Sequence, residues 1–237
     1  MHANELIETY LLNEYRKPRN FEAFLYMNHV LQGDAIKTAI EAHRRDMPYC
    51  MGTLFWQHND CWPVASWASR DYYGRWKAQH YFTRKAYRDI LVSPIADESG
   101  ILKVQVVSDR LKSCSGKLEV SVIKLTGEVL NQYNRNVKID ANSSRTLFSI
   151  PLEEALNGAR KEDVFIHAVL STDKGKNDYA NNYFLVKQKE VNYPHAMITK
   201  SIQPIEDGFE VTLNSDNFAR AVFIATGDVN SSFSDNY

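Results

Sequence analysis

The chain changes its dominant hydrophobic period near Pro94, and that change constrains the fold more than any other feature of its 237 residues. Before it, apolar residues recur every three or four positions, the spacing of amphipathic helices. After it, Ile101, Lys103 and Gln105 alternate with Leu102, Val104 and Val106. In KLEVSVIKL, Leu118, Val120 and Val122 alternate with Glu119, Ser121 and Ile123, which is the period of a strand. Further strands are expected over 128–138, 145–150, 163–171 and 181–187, separated by turn-rich pieces such as Leu125-Thr126-Gly127 and Asp173-Lys174-Gly175-Lys176. Six or so short strands in about 90 residues predict an antiparallel β-sandwich. PLEEALNG, at 151–158, is expected to form a one-turn helix bridging its sheets.

A third region opens near Val191. Ala196 to Ile202, Phe209 to Leu213 and Ala219 to Ile224 read as three strands, split by Glu206-Asp207-Gly208 and by Asn214-Ser215-Asp216-Asn217. Three strands make an incomplete second sandwich.

The helical part begins with a stripe of Leu6, Ile7, Tyr10, Leu11, Leu12 and Tyr15 that stops before Pro18. A second helix is predicted from Glu22 to Leu31. A third starts near Gly33-Asp34 and runs to about Asp46, with Arg44 and Arg45 near its end, where cations suit the helix dipole. Pro48 closes it. Cys50 to Trp56 is a nearly continuous apolar run that breaks abruptly into Gln57, His58, Asn59 and Asp60, the pattern of a buried parallel strand with a polar lip. In barrels and open α/β sheets, ligands bind past the carboxyl ends of such strands. A loop rich in Trp, Ser, Asp and Tyr follows, and a fourth helix is expected from near Gly74.

Composition excludes several classes of function. A formal net charge of -1 gives no electrostatic case for nucleic acid. Three cysteines, Cys50, Cys61 and Cys114, cannot all pair and show no metal-ligand spacing. No apolar run approaches the roughly 20 residues that span a membrane. The N-terminus lacks the basic and apolar regions of a signal peptide, so a soluble chain of unassigned compartment is expected. There is no Gly-x-Ser-x-Gly elbow, no phosphate-cradling glycine loop, and no His grouping that would hold zinc, so no cofactor and no metal are expected. A glycosidase would need two carboxylates about 5 to 10 Å apart. Near the one α/β strand, only Asp60 and Asp71 are so placed, and the residues themselves do not complete a pair.

The words of this stretch are specific. MGTLFWQHNDCWPVASWASRDYYGRWKAQHYFTRKAY, with its Trp-Gln-x-Asn-Asp-x-Trp-Pro run at 56–63 and Asp71-Tyr-Tyr-Gly-Arg-Trp-Lys-Ala at 71–78, closely resembles the last strand and final helix of the catalytic barrel in the β-mannosidase branch of family 2 glycoside hydrolases. The preceding GDAIKTAIEAHRRDMPYC resembles the helix leading into that strand. Asn181-Asn182-Tyr183-Phe184-Leu185, Asn192-Tyr193-Pro194 and Phe233-Ser234-Asp235-Asn236-Tyr237 resemble the two sandwiches that follow the barrel. The resemblance implies a multidomain chain: 1–92 as the C-terminal piece of a (β/α)8 barrel, 97–190 as an immunoglobulin-like β-sandwich, and 191–237 as an incomplete second one. It also implies hydrolysis of terminal β-linked mannose in a parent enzyme whose acid/base and nucleophile glutamates lie upstream of Met1. No residue here is therefore assigned as catalytic, and the chain alone is expected to be inactive. Trp56 lines up with the aromatic residue that floors the reacting sugar's subsite, and Asn59 and Asp60 share its rim as candidate contacts to sugar hydroxyls. Trp62, Trp67 and Trp76 are expected in core or domain packing. The partners implied are a β-mannoside and the missing upstream polypeptide; the alternative is a non-catalytic carbohydrate-binding or interaction module built on the 97–190 sandwich.

Overall fold

The computed structural model describes residues 3–172, 178–227 and 231–237, and the turn expected at Asp173–Lys176 lies outside them. Two helices open the chain, α1 (Ala3–Glu14) and α2 (Phe21–Arg45), followed after a long irregular stretch by α3 (Ala78–Ala86). The Asn20 side chain caps α2 by accepting a hydrogen bond from the Ala23 amide.

The two helices expected on either side of Gly33 are one continuous helix. Gly33 does not break it; it lets α2 approach α3, because a Cβ at that position would lie 2.7 Å from the buried Phe82 ring. Close packing outweighs the poor helix propensity of glycine.

Cys50 to Trp56 does not form a strand. Among the described residues no segment pairs with it, and Met51, Leu54 and Trp56 are exposed. A strand needs a hydrogen-bonded neighbour, and residues 3–89 supply only helices and loops. The α/β character expected of this region is thus absent from the described residues.

The sandwich follows the alternation closely. Its strands are β1 (Ile90–Ala96), β2 (Ile101–Ser108), β3 (Cys114–Lys124), β4 (Val129–Ile139), β5 (Ser143–Pro151), β6 (Val164–Thr172) and β7 (Asp178–Tyr183), with α4 (Leu152–Leu156) between β5 and β6. One sheet has the order β1-β2-β5 and the other β4-β3-β6-β7, and every pairing is antiparallel. Leu102, Val104, Val106, Leu118, Val120 and Val122 all point into the core beside Ile166 and Leu170. Each such side chain contributes about 1.5–3 kcal/mol by leaving water. As expected, α4 bridges the layers: the Ala155 carbonyl accepts from Asn131 of β4, and the Leu152 amide donates to the Gly100 carbonyl beside β2. The strand expected to reach 187 ends at Tyr183, because Phe184 turns out of the sheet to pack with Phe165 and Phe218.

Beyond it, β8 (Ile198–Ile205) and β9 (Gly208–Ser215) form a two-stranded ribbon. The third expected strand, 219–224, is irregular. Ala221 has φ 52, outside the strand region, and the segment is held by side chains instead. The Tyr26 hydroxyl donates to the Ala221 carbonyl, and the Asn236 amide clasps both backbone groups of Ile224 at 2.9 and 3.0 Å. Arg220 ion-pairs with Asp34 of α2 and donates to the Tyr15 hydroxyl. The second sandwich is therefore one ribbon plus a pinned loop. No helix of the described residues is long and apolar enough to cross a membrane.

A polar hub seats α2 on the first sheet. The buried Glu41 carboxylate accepts from Ser93 and from Asn181, each at 2.9 Å, and ion-pairs with Lys37 at 3.0 Å. Arg44 reaches the Arg88 carbonyl at 2.9 Å and Asp109 at 2.8 Å, and the Arg45 carbonyl accepts from Gln105 and Ser144. Glu41→Ala is expected to lower the free energy of unfolding by about 3–5 kcal/mol, since it strands buried donors and a half-paired Arg45. Gly33→Ala should cost about 1–3 kcal/mol by overpacking Phe82. Denaturant melts of the two variants check both values.

Candidate functional site

The site expected from the sequence lies between the end of α2 and the start of α3. After a tight turn in which the Tyr49 and Cys50 amides both donate to the Asp46 carbonyl, exposure alternates along the chain. Thr53, Phe55 and Gln57 are half-buried, while Leu54 and Trp56 stand out. Two bonds tether this stretch: Thr53 Oγ1 meets His43 Nδ1 at 3.0 Å, and its carbonyl accepts from the Tyr87 hydroxyl. Trp56 is 73% exposed and joined to Gln57 by a cis peptide.

The chain then folds back on itself. The Ser69 amide donates to the Gln57 carbonyl at 3.0 Å, that of Arg70 to the His58 carbonyl at 2.9 Å, and that of Asp60 to the Arg70 carbonyl at 3.1 Å. The turn that follows is built by Asp71, whose carboxylate accepts from the Arg75 amide at 2.9 Å and from its guanidinium at 2.6 Å. Gly74 completes it at φ 85, a conformation that glycine adopts without strain.

The three expected contact residues part company here. Trp56 and Asn59 are exposed, whereas Asp60 is buried. Its carboxylate takes the Ser66 hydroxyl on one oxygen and the Lys77 ammonium, at 3.5 Å, on the other. Asp60 and Asp71, the two carboxylates expected near a strand end, are each held by a cation. Neither is arranged with the other as an acid and nucleophile pair.

Sequence reasoning misses Lys77 because it starts the fourth helix near Gly74 and so places this residue inside it, whereas α3 begins at Ala78 with Lys77 at its N-cap. Of the tryptophans expected in packing, Trp76 packs as expected, stacking on His80 at 3.6 Å with Arg70 at 5.0 Å from its ring centroid. Trp62 and Trp67 are exposed on the loop instead, because nothing among the described residues covers them. Burial pushes the His80 imidazole below its ordinary value, helped by Arg84, His58 and Arg70. Burial does the same to His29, helped by Lys77.

Comparison with known proteins agrees with this architecture. Residues 100–190 match the family described as Mannosidase Ig/CBM-like domain, and residues 193–237 match an Ig-fold domain family. The β-mannosidase of Mus musculus is 31% identical over 231 residues, which is 92% of this chain and 26% of that protein. β-Mannosidase A of Aspergillus oryzae is 37% identical over 122 residues, 50% of this chain and 13% of that protein. The chain thus spans about a quarter or less of the length of these relatives. Among solved structures, the β-D-mannosidase of Dictyoglomus thermophilum superposes with a TM-score of 0.86 at 30% identity, covering 99% of this chain and 28% of that one. An exo-chitosanase of Amycolatopsis orientalis superposes at 0.73 with 18% identity, covering 92% of this chain and 29% of that one, a likeness of fold.

An imidazole depressed by burial binds its proton more readily in the unfolded chain, so the unfolded state gains as pH falls through the ordinary histidine value near 6.5. The thermal midpoint is expected to drop between about pH 7.5 and about pH 5.5, and to drop less in His29→Gln. Calorimetric scans at the two pH values check this.

Proposed function

We propose, from the homology of this chain to the C-terminal portion of the family 2 β-mannosidases, that it supplies the Trp56 rim of a retaining β-mannosidase site together with the two sandwiches that buttress it. The parent enzyme removes terminal β-linked mannose through a covalent glycosyl-enzyme, with both carboxylates provided by polypeptide upstream of Met1. Alone, the chain binds at the rim and turns nothing over.

The observation that carries this reading is the split between Trp56 and the local carboxylates. An indole face stacks on the apolar face of a sugar ring, and its electron-rich surface suits the positive charge that develops at the anomeric carbon. Trp56 is exposed to solvent, and Asn59, three residues on, is exposed too, its amide nitrogen donating to the Asp60 carbonyl at 3.3 Å and its amide oxygen suited to a sugar hydroxyl. Asp60 contributes from beneath, as an anchor of the rim. Acid–base chemistry needs carboxyl groups whose environments push them apart in pKa, with one free to attack. The carboxylates of this loop are instead engaged by Lys77 and Arg75.

The exposed Met51, Leu54 and Trp56, on a segment with no strand partner among the described residues, favour the upstream polypeptide as partner, since it would provide the strands this segment lacks. A carbohydrate-binding role for the sandwich is the weaker reading. Phe148, Phe165 and Tyr179 are buried rather than aligned on an open face.

An aryl β-mannoside assay tests the proposal. The purified chain is expected to show no turnover, and activity is expected on mixing it with a polypeptide carrying the rest of the barrel. In that mixture Trp56→Ala should lower kcat/KM about 30-fold, the equivalent of a desolvated ring–cation contact worth about 2 kcal/mol. Turnover by the chain alone that survives Trp56→Ala would overturn the proposal.

A further inference from the structure

We propose that Lys77 is a positioning residue for the Trp56 rim, acting through Asp60 and Ser66; the proposal rests on the reading of Trp56 as a substrate-facing residue. The loop from Gln57 to Trp76 has no apolar core of its own on its outer side, where Trp62, Val64 and Trp67 are all exposed. Polar contacts fix its shape instead. Lys77 Nζ donates to Asp60 Oδ2 at 3.5 Å and to the Ser66 carbonyl at 3.3 Å. Ser66 Oγ in turn donates to Asp60 and accepts from the Ala68 amide at 3.0 Å. The knot reaches the rim through Asp60, which adjoins Asn59 in sequence. Main-chain bonds that any side chain at 77 retains register the loop beside it: the Lys77 amide holds the Ser69 carbonyl at 2.9 Å, and the Ser69 amide holds Gln57, the neighbour of Trp56.

Stability alone does not account for a lysine here. Lys77 is 8% exposed and Asp60 6%, so both charges are taken out of water, and a buried ion pair is seldom worth more than well-packed apolar groups of the same volume. Lys77 also occupies the N-cap of α3, where the helix dipole disfavours a cation. What the pair supplies is geometry. An ammonium with two fixed acceptors admits one arrangement of the loop, while an apolar plug would admit several. A displacement of about 1 Å at a binding rim costs on the order of a hundredfold in rate, so such precision has a functional use.

The test uses the chain labelled with 5-fluorotryptophan, its Trp56 resonance assigned by Trp56→Phe. Far-ultraviolet circular dichroism and the thermal midpoint report the fold. In Lys77→Met and in Asp60→Asn the Trp56 resonance is expected to shift or broaden while the circular dichroism spectrum stays that of the parent, and Lys77→Arg is expected to keep the parent resonance. Titration with p-nitrophenyl β-mannoside, followed at Trp56, should need roughly tenfold to a hundredfold more ligand in Lys77→Met than in the parent or Lys77→Arg. If Lys77→Met fails to fold, Asp60→Asn and Lys77→Arg decide the matter. A Trp56 resonance unchanged by Lys77→Met and Asp60→Asn overturns the proposal, as does one that moves only in variants whose circular dichroism spectrum shows a lost fold. A parent chain whose Trp56 ignores the mannoside counts against the substrate reading, and the comparison among variants still decides the positioning role.

Discussion

The Glu41 carboxylate is buried where α2 meets the first sheet, and the arrangement of the whole molecule depends on it. A buried charge is tolerated only when its hydrogen-bonding capacity is filled. Ser93 fills it from β1, Asn181 from β7 and Lys37 from one helical turn back. The partners come from both sheets, so the carboxylate fixes the helical layer against the sandwich and the two sheets against each other. The next turn of the same helix carries Arg44, which donates to the Arg88 carbonyl and the Asp109 carboxylate, and Arg45, which donates to the Ser93 hydroxyl. Because α2 is seated this way, the chain leaving it at Asp46 emerges at a defined place, and the Trp56 rim follows from there.

Two kinds of constraint thus meet in one short stretch. The sandwich is held by area: apolar faces of period two buried against each other, tolerant of exact chemistry. The rim loop is held by directed contacts among Asp60, Ser66, Lys77 and the backbone of 57–70. Area gives strength without precision, and directed contacts give precision with little strength. A loop built of the second and mounted on the first combines a defined shape with a stable base.

The same distinction explains how much the sequence disclosed. Leu118, Val120 and Val122 alternate because the sheet has two faces, so the sandwich strands could be read before any coordinates. The kinship to β-mannosidases was legible because the neighbours of Trp56 spell out a specific motif. Gly33 was misread, since a glycine that breaks a helix and one that admits a neighbouring ring look alike in a single chain. Cys50 to Trp56 has the composition of a buried strand, but composition does not say whether a partner is at hand. Asp60 could be placed at the rim but not turned inward, because its orientation depends on Lys77, seventeen residues on.

The β8–β9 ribbon carries a consequence for handling the protein. Ile198, Ile202 and Pro204 share one face with Phe209, Val211 and Leu213, and that face is largely open to solvent, with Phe209 70% exposed. Among the described residues neither outer edge of the ribbon is paired. An amphipathic ribbon with free edges is a template on which further strands can add. Colloidal failure on storage or concentration would therefore begin at this C-terminal ribbon, while the sandwich core beside it was still fully native.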